Sequence, residues 1–106
     1  MAVIHKERVA WDSARVFAAA ATDDVYWWLG EELGRHLGQR YVLDLTRTRR
    51  RLRREDASRA GRAHEDALSA EVAAWRARIE DVLTECPELA PVLRQVIEET
   101  GRRLPR

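Results

Sequence analysis

Three histidines, one cysteine and a scatter of carboxylates are the residues with which this chain could do acid–base, metal or nucleophilic chemistry. His5, His36 and His64 stand far apart, and His64-Glu65 lacks the second histidine that would complete a zinc-protease helix. Cys86 has no partner cysteine, so neither a disulfide framework nor a thiolate zinc site is expected within one chain. No glycine-rich phosphate loop and no nucleophile elbow occur. The acidic residues are spread as a solvated helix surface, and no catalytic pair separates from them. The expectation is a protein that is not an enzyme and uses no cofactor or metal.

Two other constellations could bind. Arg47, Arg49, Arg50, Arg51, Arg53 and Arg54 form a dense basic run. On a helix, Arg47, Arg50, Arg51 and Arg54 share one side, and the planar guanidinium forks of arginine suit phosphate or carboxylate oxygens. Nucleic acid, an acidic protein partner and plain solvent are the three readings of this run. The second constellation is Val25–Gly38. Trp27 and Trp28 point about 100° apart on a helix, so both are hard to bury in a small bundle. One of them is a candidate interface anchor, since tryptophan is enriched at binding hot spots. Gly30 and Gly34 lie beside the Leu29, Leu33, Leu37 ridge at the same spacing of four. A glycine inside a helix costs about 1 kcal/mol relative to alanine. Two of them point to a groove for a close helix or a bulky side chain. Gly38 falls at the same spacing; the alternative is that Gly38 is only a C-cap and the spacing is chance.

The elements that must position these groups are all helical. Leu68, Val72, Trp75, Ile79, Val82 and Cys86 step by four and three, the rhythm of a helix with one buried seam. At a seam position Cys86 reads as a small buried hydrophobe. Ala60, Ala63, Ala67, Ala70, Ala74 and Ala77 run beside it, either as common helix formers or as a second face for close contact. Tyr41–Leu45 finds no partner strand and opens the same helix. Pro87 ends it, because the residue before a proline disfavours the helical region. Asp12 and Ser13 are good N-cap residues ahead of a first helix, which Thr22-Asp23-Asp24 either interrupts or kinks. Val92, Leu93, Val96 and Ile97 give a last helix its apolar face, and Gly101 closes it. The predicted architecture is an all-α hairpin or bundle of helices at about 13–37, 42–86 and 89–100. Residues 1–10 and 102–106 are expected to be loosely ordered ends.

A helix over 42–86 would span on the order of 65 Å. A compact chain of this size has a radius of gyration of about 13 Å. The helix must therefore bend, with Gly61 as the expected hinge, or be covered by another copy.

Bulk composition sets the outer bounds. The 106 residues suffice for one domain. The net charge of +1 argues against a generic polyanion binder. That charge is uneven: residues 41–64 carry eight Lys/Arg against three Asp/Glu, whereas 65–106 carry six against nine. No apolar run approaches the roughly 18 residues of a membrane span, and residues 1–9 have no apolar signal-peptide core. The expected location is the cytoplasm.

The segment from Ala73-Ala74-Trp75-Arg76-Ala77-Arg78 to Leu83, the turn Cys86-Pro87-Glu88-Leu89-Ala90 and the helix Val92–Glu99 together follow an Arg-rich helix. Over residues 45–100 this resembles uncharacterised small helical accessory proteins of actinobacteria. The resemblance implies a bacterial module that sits beside effectors in conflict or signalling loci, with no catalytic residues to carry over. Pro91 and Trp27-Trp28 depart from the pattern. The expected function is a helical protein–protein interaction or oligomerisation module, an adaptor or small subunit, with Trp27, Trp28, Gly30 and Gly34 at the partner surface. The alternative is nucleic-acid binding through residues 47–54.

Overall fold

The computed structural model describes residues 5–58 and 62–105, with the side chains of 55–58, 62 and 63 excepted. Among them the chain is all-α, with no strand: α1 (Lys6–Ala21), α2 (Val25–His36), α3 (Gln39–Ser58), α4 (Arg62–Glu85), a 3₁₀ turn (Pro87–Leu89) and α5 (Ala90–Arg103). No helix among the described residues is long and apolar enough to cross a membrane.

The element at the centre is α1, not the α4 seam. It packs against α2, α3, α4 and α5. Its buried residues form two adjoining ridges, Val9-Ser13-Phe17-Ala20 and Ala10-Ala14-Ala18-Ala21. These are mostly small side chains, so several helices can approach one axis. The first turns belong to this core: Val9 and Ala10 are fully buried, and α1 begins at Lys6 rather than near residue 13. At the other end of the chain α5 runs on through Arg103. Residues 6–10 and 102–103 are therefore helical, which corrects the expectation of loose ends there.

The break after α1 is real. The Asp23 side chain, one residue before the N-cap Asp24, accepts the backbone N–H of Val25 at 3.0 Å and so satisfies the first free N–H of α2. Helix α2 closes on Gly38, whose φ of 105° is open to glycine without strain. The Gly38 N–H reaches back to Leu33 O at 3.0 Å.

The expected helix 42–86 is two helices, α3 and α4, packed against each other and antiparallel. Thr48 meets Glu71 and Trp75, and Asp44 meets Arg78. The chain thus covers its own length, and its Cα radius of gyration is 13.5 Å. The length argument for a second copy lapses with this. The hinge expected at Gly61 lies outside the described residues.

On α4 the buried line is Glu71-Trp75-Ile79-Leu83, in steps of four. Ridges of that kind pack in globular helix pairs rather than along a heptad seam. Leu68 is 36% exposed, and Val72, Val82 and Cys86 are half-buried, so the predicted seam is rotated from the real one. Trp75 meets Phe17 of α1 edge-on, with ring centroids 5.5 Å apart. Ala67 and Ala74 are half-buried, whereas Ala70 and Ala77 face solvent, so among the described residues no helix is laid along the alanine stripe. Ala60 and Ala63 of that stripe lie outside the described side chains. Helix α5 buries Leu93, Val96 and Thr100 chiefly against α1 and α2, not back on α4.

Candidate interaction surface

The three histidines sit on separate elements: His5 before α1, His36 at the end of α2, His64 near the start of α4. No group of three or more His, Cys, Asp or Glu that could hold a metal occurs among the described residues. Cys86 is half-buried at the end of α4, off the buried line.

Of the buried polar residues, Asp44, Thr48 and Glu71 join α3 to α4, whereas Thr100 bonds back within α5. Trp75 Nε1 donates to Thr48 Oγ1 at 2.8 Å, and Thr48 Oγ1 donates to Glu71 Oε1 at 2.6 Å. The other Glu71 oxygen accepts from Arg51 Nη1 at 3.1 Å. Asp44, also buried, faces Arg47 at 3.6 Å and Arg78 at 3.5 Å. Both carboxylates are thus held by arginine in a fixed pattern, which serves helix register. Beside them, burial pushes the Tyr41 hydroxyl above its usual pKa of 10; Arg40 opposes this, while Asp44, Glu85 and Asp81 add to it.

Helices α2 and α3 enclose an open groove of about 330 Å³ lined by Tyr26, Trp27, Gly30, Glu31, Gly34, Gln39 and Val42. Three of the four expected partner residues meet here. Trp27 is 68% exposed, the most exposed large hydrophobic side chain among the described residues. It is nonetheless held in place. Tyr26 meets it edge-on at 4.9 Å, and the Arg49 guanidinium lies 4.4 Å from the Tyr26 ring and 5.9 Å from the Trp27 ring. Arg49 in turn donates to Ala21 O at 2.9 Å, which ties the aromatic pair to the end of α1.

The two glycines differ. A Cβ on Gly34 would stand 3.3 Å from Val42 Cγ2, so Gly34 admits the close approach of α3. A Cβ on Gly30 would meet nothing within 4 Å. Gly30 has no packing reason inside this chain and leaves the groove open.

Trp28 departs from its partners. It is half-buried, turned toward α5 near Val92 and Val96, with the Arg103 guanidinium 4.4 Å from its ring. It belongs to the α2–α5 packing, and Trp27 takes the exposed position.

The arginine run lies on the outer face of α3. Arg40, Arg47, Arg50, Arg51, Arg53 and Arg54 are all exposed there, and Leu43 among them is 50% exposed. Of the four expected site residues, Arg47 and Arg51 lean on Asp44 and Glu71. Arg50 and Arg54 have no ion-pair partner among the described residues. Arg49, within the run, points the other way and braces Trp27.

Sequence reasoning missed a second groove, of about 490 Å³, between α1 and α4, lined by Trp11, Arg15, Leu68, Val72, Ala73, Arg76 and Ala77. Leu68 falls on the predicted seam, and nothing in the spacing around Trp11 pairs the two residues. Comparison with known proteins yields no match to a family model, to a curated protein or to a solved structure.

Proposed function

We propose that this protein is a non-catalytic helical interaction module of the cytoplasm, an adaptor or the small subunit of a larger assembly, which engages a protein partner through the α2–α3 groove. One observation carries the reading: Trp27 is 68% exposed yet braced by Tyr26 and Arg49. A large apolar side chain that already has ring and guanidinium neighbours has less order to lose on binding than a free one, which favours a hot-spot anchor. The test is co-purification of the tagged full chain and its Trp27→Ala variant under matched expression, with sedimentation velocity on both. A stoichiometric partner or second copy should accompany the wild type and be lost from Trp27→Ala at unchanged melting temperature. Equal retention by both proteins, or a lone monomer in both, refutes the proposal.

A second reading is nucleic-acid binding by α3, favoured by its six exposed arginines. With six phosphate contacts, log affinity for duplex DNA should fall against log salt with a slope of about −5. Against it stand the net charge of +1 and the exposed Leu43 in the middle of the arginine face. No anisotropy change with duplex DNA at low salt would remove it.

A further inference from the structure

We infer that the groove between α1 and α4 binds an apolar monocarboxylic acid, a small molecule with a hydrocarbon body and one carboxylate. The site goes beyond the interaction-module reading and shares no lining residue with the α2–α3 groove. Its walls are mainly apolar. Of the four exposed large hydrophobic side chains among the described residues, Trp11 and Leu68 both line this groove, from opposite helices. Half-buried Val72 and the small Ala73 and Ala77 complete the α4 wall. The volume of about 490 Å³ falls within the roughly 300–1,000 Å³ of small-molecule sites, which join an apolar lining to a few polar groups.

The charged lining selects the head group. Three charged side chains reach the groove: Arg15, Arg76 and Glu80. Arg76 Nε donates to Glu80 Oε1 at 3.2 Å, and the same guanidinium lies 5.8 Å from the centre of the Trp11 ring. Those two charges compensate each other. Arg15, one turn along α1 from Trp11, has no ion-pair or hydrogen-bond partner among the described residues. The groove lining thus carries one uncompensated charge, and it is positive. A guanidinium offers a carboxylate two parallel N–H groups, one for each oxygen. A phosphate dianion would bring a second negative charge with no free cation in the lining to meet it. A neutral ligand would leave Arg15 unused.

The dimensions favour a small molecule over a docked helix. Trp11 and Arg15 span one helical turn, so the α1 wall is about 6 Å long, whereas the α4 wall from Leu68 to Glu80 runs about 18 Å. A helix of several turns would meet α1 along one turn alone. A compact hydrocarbon body on Val72, Ala73 and Ala77, with its carboxylate on Arg15, meets both walls.

The test titrates the full chain with decanoate and naphthoate, and with decanamide and naphthamide, which keep each hydrocarbon body and remove the charge. Binding is read by calorimetry and by the indole N–H signal of Trp11 in NMR spectra. The wild type should bind the carboxylates with Kd on the order of 0.1 mM, in keeping with ligands of this size. The amides should bind about fivefold more weakly. Arg15→Gln keeps a long, helix-compatible side chain and should lower the carboxylates to the level of the amides. Ala73→Gln fills the α4 wall at an exposed position and should weaken all four probes. Trp27→Ala, and Arg94→Gln at an exposed arginine of α5, should change nothing. Binding of one carboxylate alone, with the same dependence on Arg15, supports the inference and narrows the class to a chain or a ring. Equal affinity for carboxylate and amide, a preference that survives Arg15→Gln, or no binding at about ten times the expected Kd overturns it. So does binding that is lost on Trp27→Ala and kept on Ala73→Gln, which belongs to the α2–α3 groove.

Discussion

The indole N–H of Trp75 on α4 donates to Thr48 Oγ1 on α3 at 2.8 Å, inside the bundle. The same hydroxyl donates its own hydrogen bond to Glu71 at 2.6 Å. One fully buried threonine thus satisfies a buried indole and a buried carboxylate at once and fixes how α3 and α4 align.

Thr48→Val keeps the shape of that side chain and removes both bonds. An unsatisfied indole N–H and a carboxylate short of one donor should cost about 1–3 kcal/mol in urea unfolding. Thr48→Ser keeps the hydroxyl and should recover most of the loss. Wild-type stability in Thr48→Val, with a loss only in Thr48→Ser, would mean that the methyl matters and the hydrogen bonds do not.

The tryptophans should separate by burial. Trp75 is fully buried against Phe17, so Trp75→Ala should lose about 3–5 kcal/mol. Trp27→Ala removes an exposed ring and should lose less than about 1 kcal/mol. Trp28→Ala should fall between them, because its ring packs toward α5 beneath Arg103. Chemical denaturation of the three variants ranks them, and a Trp27→Ala loss as large as that of Trp75→Ala would place Trp27 in the core.

The glycines give a test that needs no partner. Gly30→Ala meets open space and should stabilise the fold by about 0.5–1 kcal/mol. At Gly34 the new methyl stands 3.3 Å from Val42, so the gain should shrink or reverse. Gly38→Ala forces a side chain to φ 105° and should destabilise by about 1 kcal/mol or more. Thermal melts of the three variants should follow that order; a destabilising Gly30→Ala would show that the groove floor is closed.

Tyr41 predicts an alkaline effect. Its hydroxyl titrates above the usual value of 10, raised first by burial. Above that value the unfolded chain sheds the proton while the folded chain still holds it. The unfolded state then binds fewer protons, so stability falls as pH rises. The contribution is complete below pH 10 and is lost as pH climbs through the folded pKa. Tyr41→Phe should flatten the decline in urea-melt stability between neutral and strongly alkaline pH, and an unchanged slope would assign the decline to other groups.

The all-α class was legible in the sequence because local chemistry decides it. Apolar residues at three- and four-residue steps, a proline after Cys86 and a glycine after Leu37 mark helices and their ends without reference to neighbours. The low count of β-branched and aromatic residues leaves no strand pairing to compete. The same local logic singled out Trp27, Trp28, Gly30, Gly34 and the arginines as residues beyond the needs of a simple bundle, although Trp28 and Gly34 turn out to serve its packing. Tertiary structure decided everything that depends on which helix lies beside which. The spacing from Leu68 to Cys86 fits a heptad seam, yet α1, with its small side chains, draws four helices around itself and turns the Glu71–Leu83 line inward. Trp27 and Trp28 are adjacent in sequence and equivalent in type; only the placing of α5 near one and of Arg49 against the other tells packing residue from exposed ring. Gly30 and Gly34 likewise share a spacing. The approach of Val42 to one of them alone separates helix packing from an open groove, because sequence periodicity records the face of a helix and not what, if anything, lies against it.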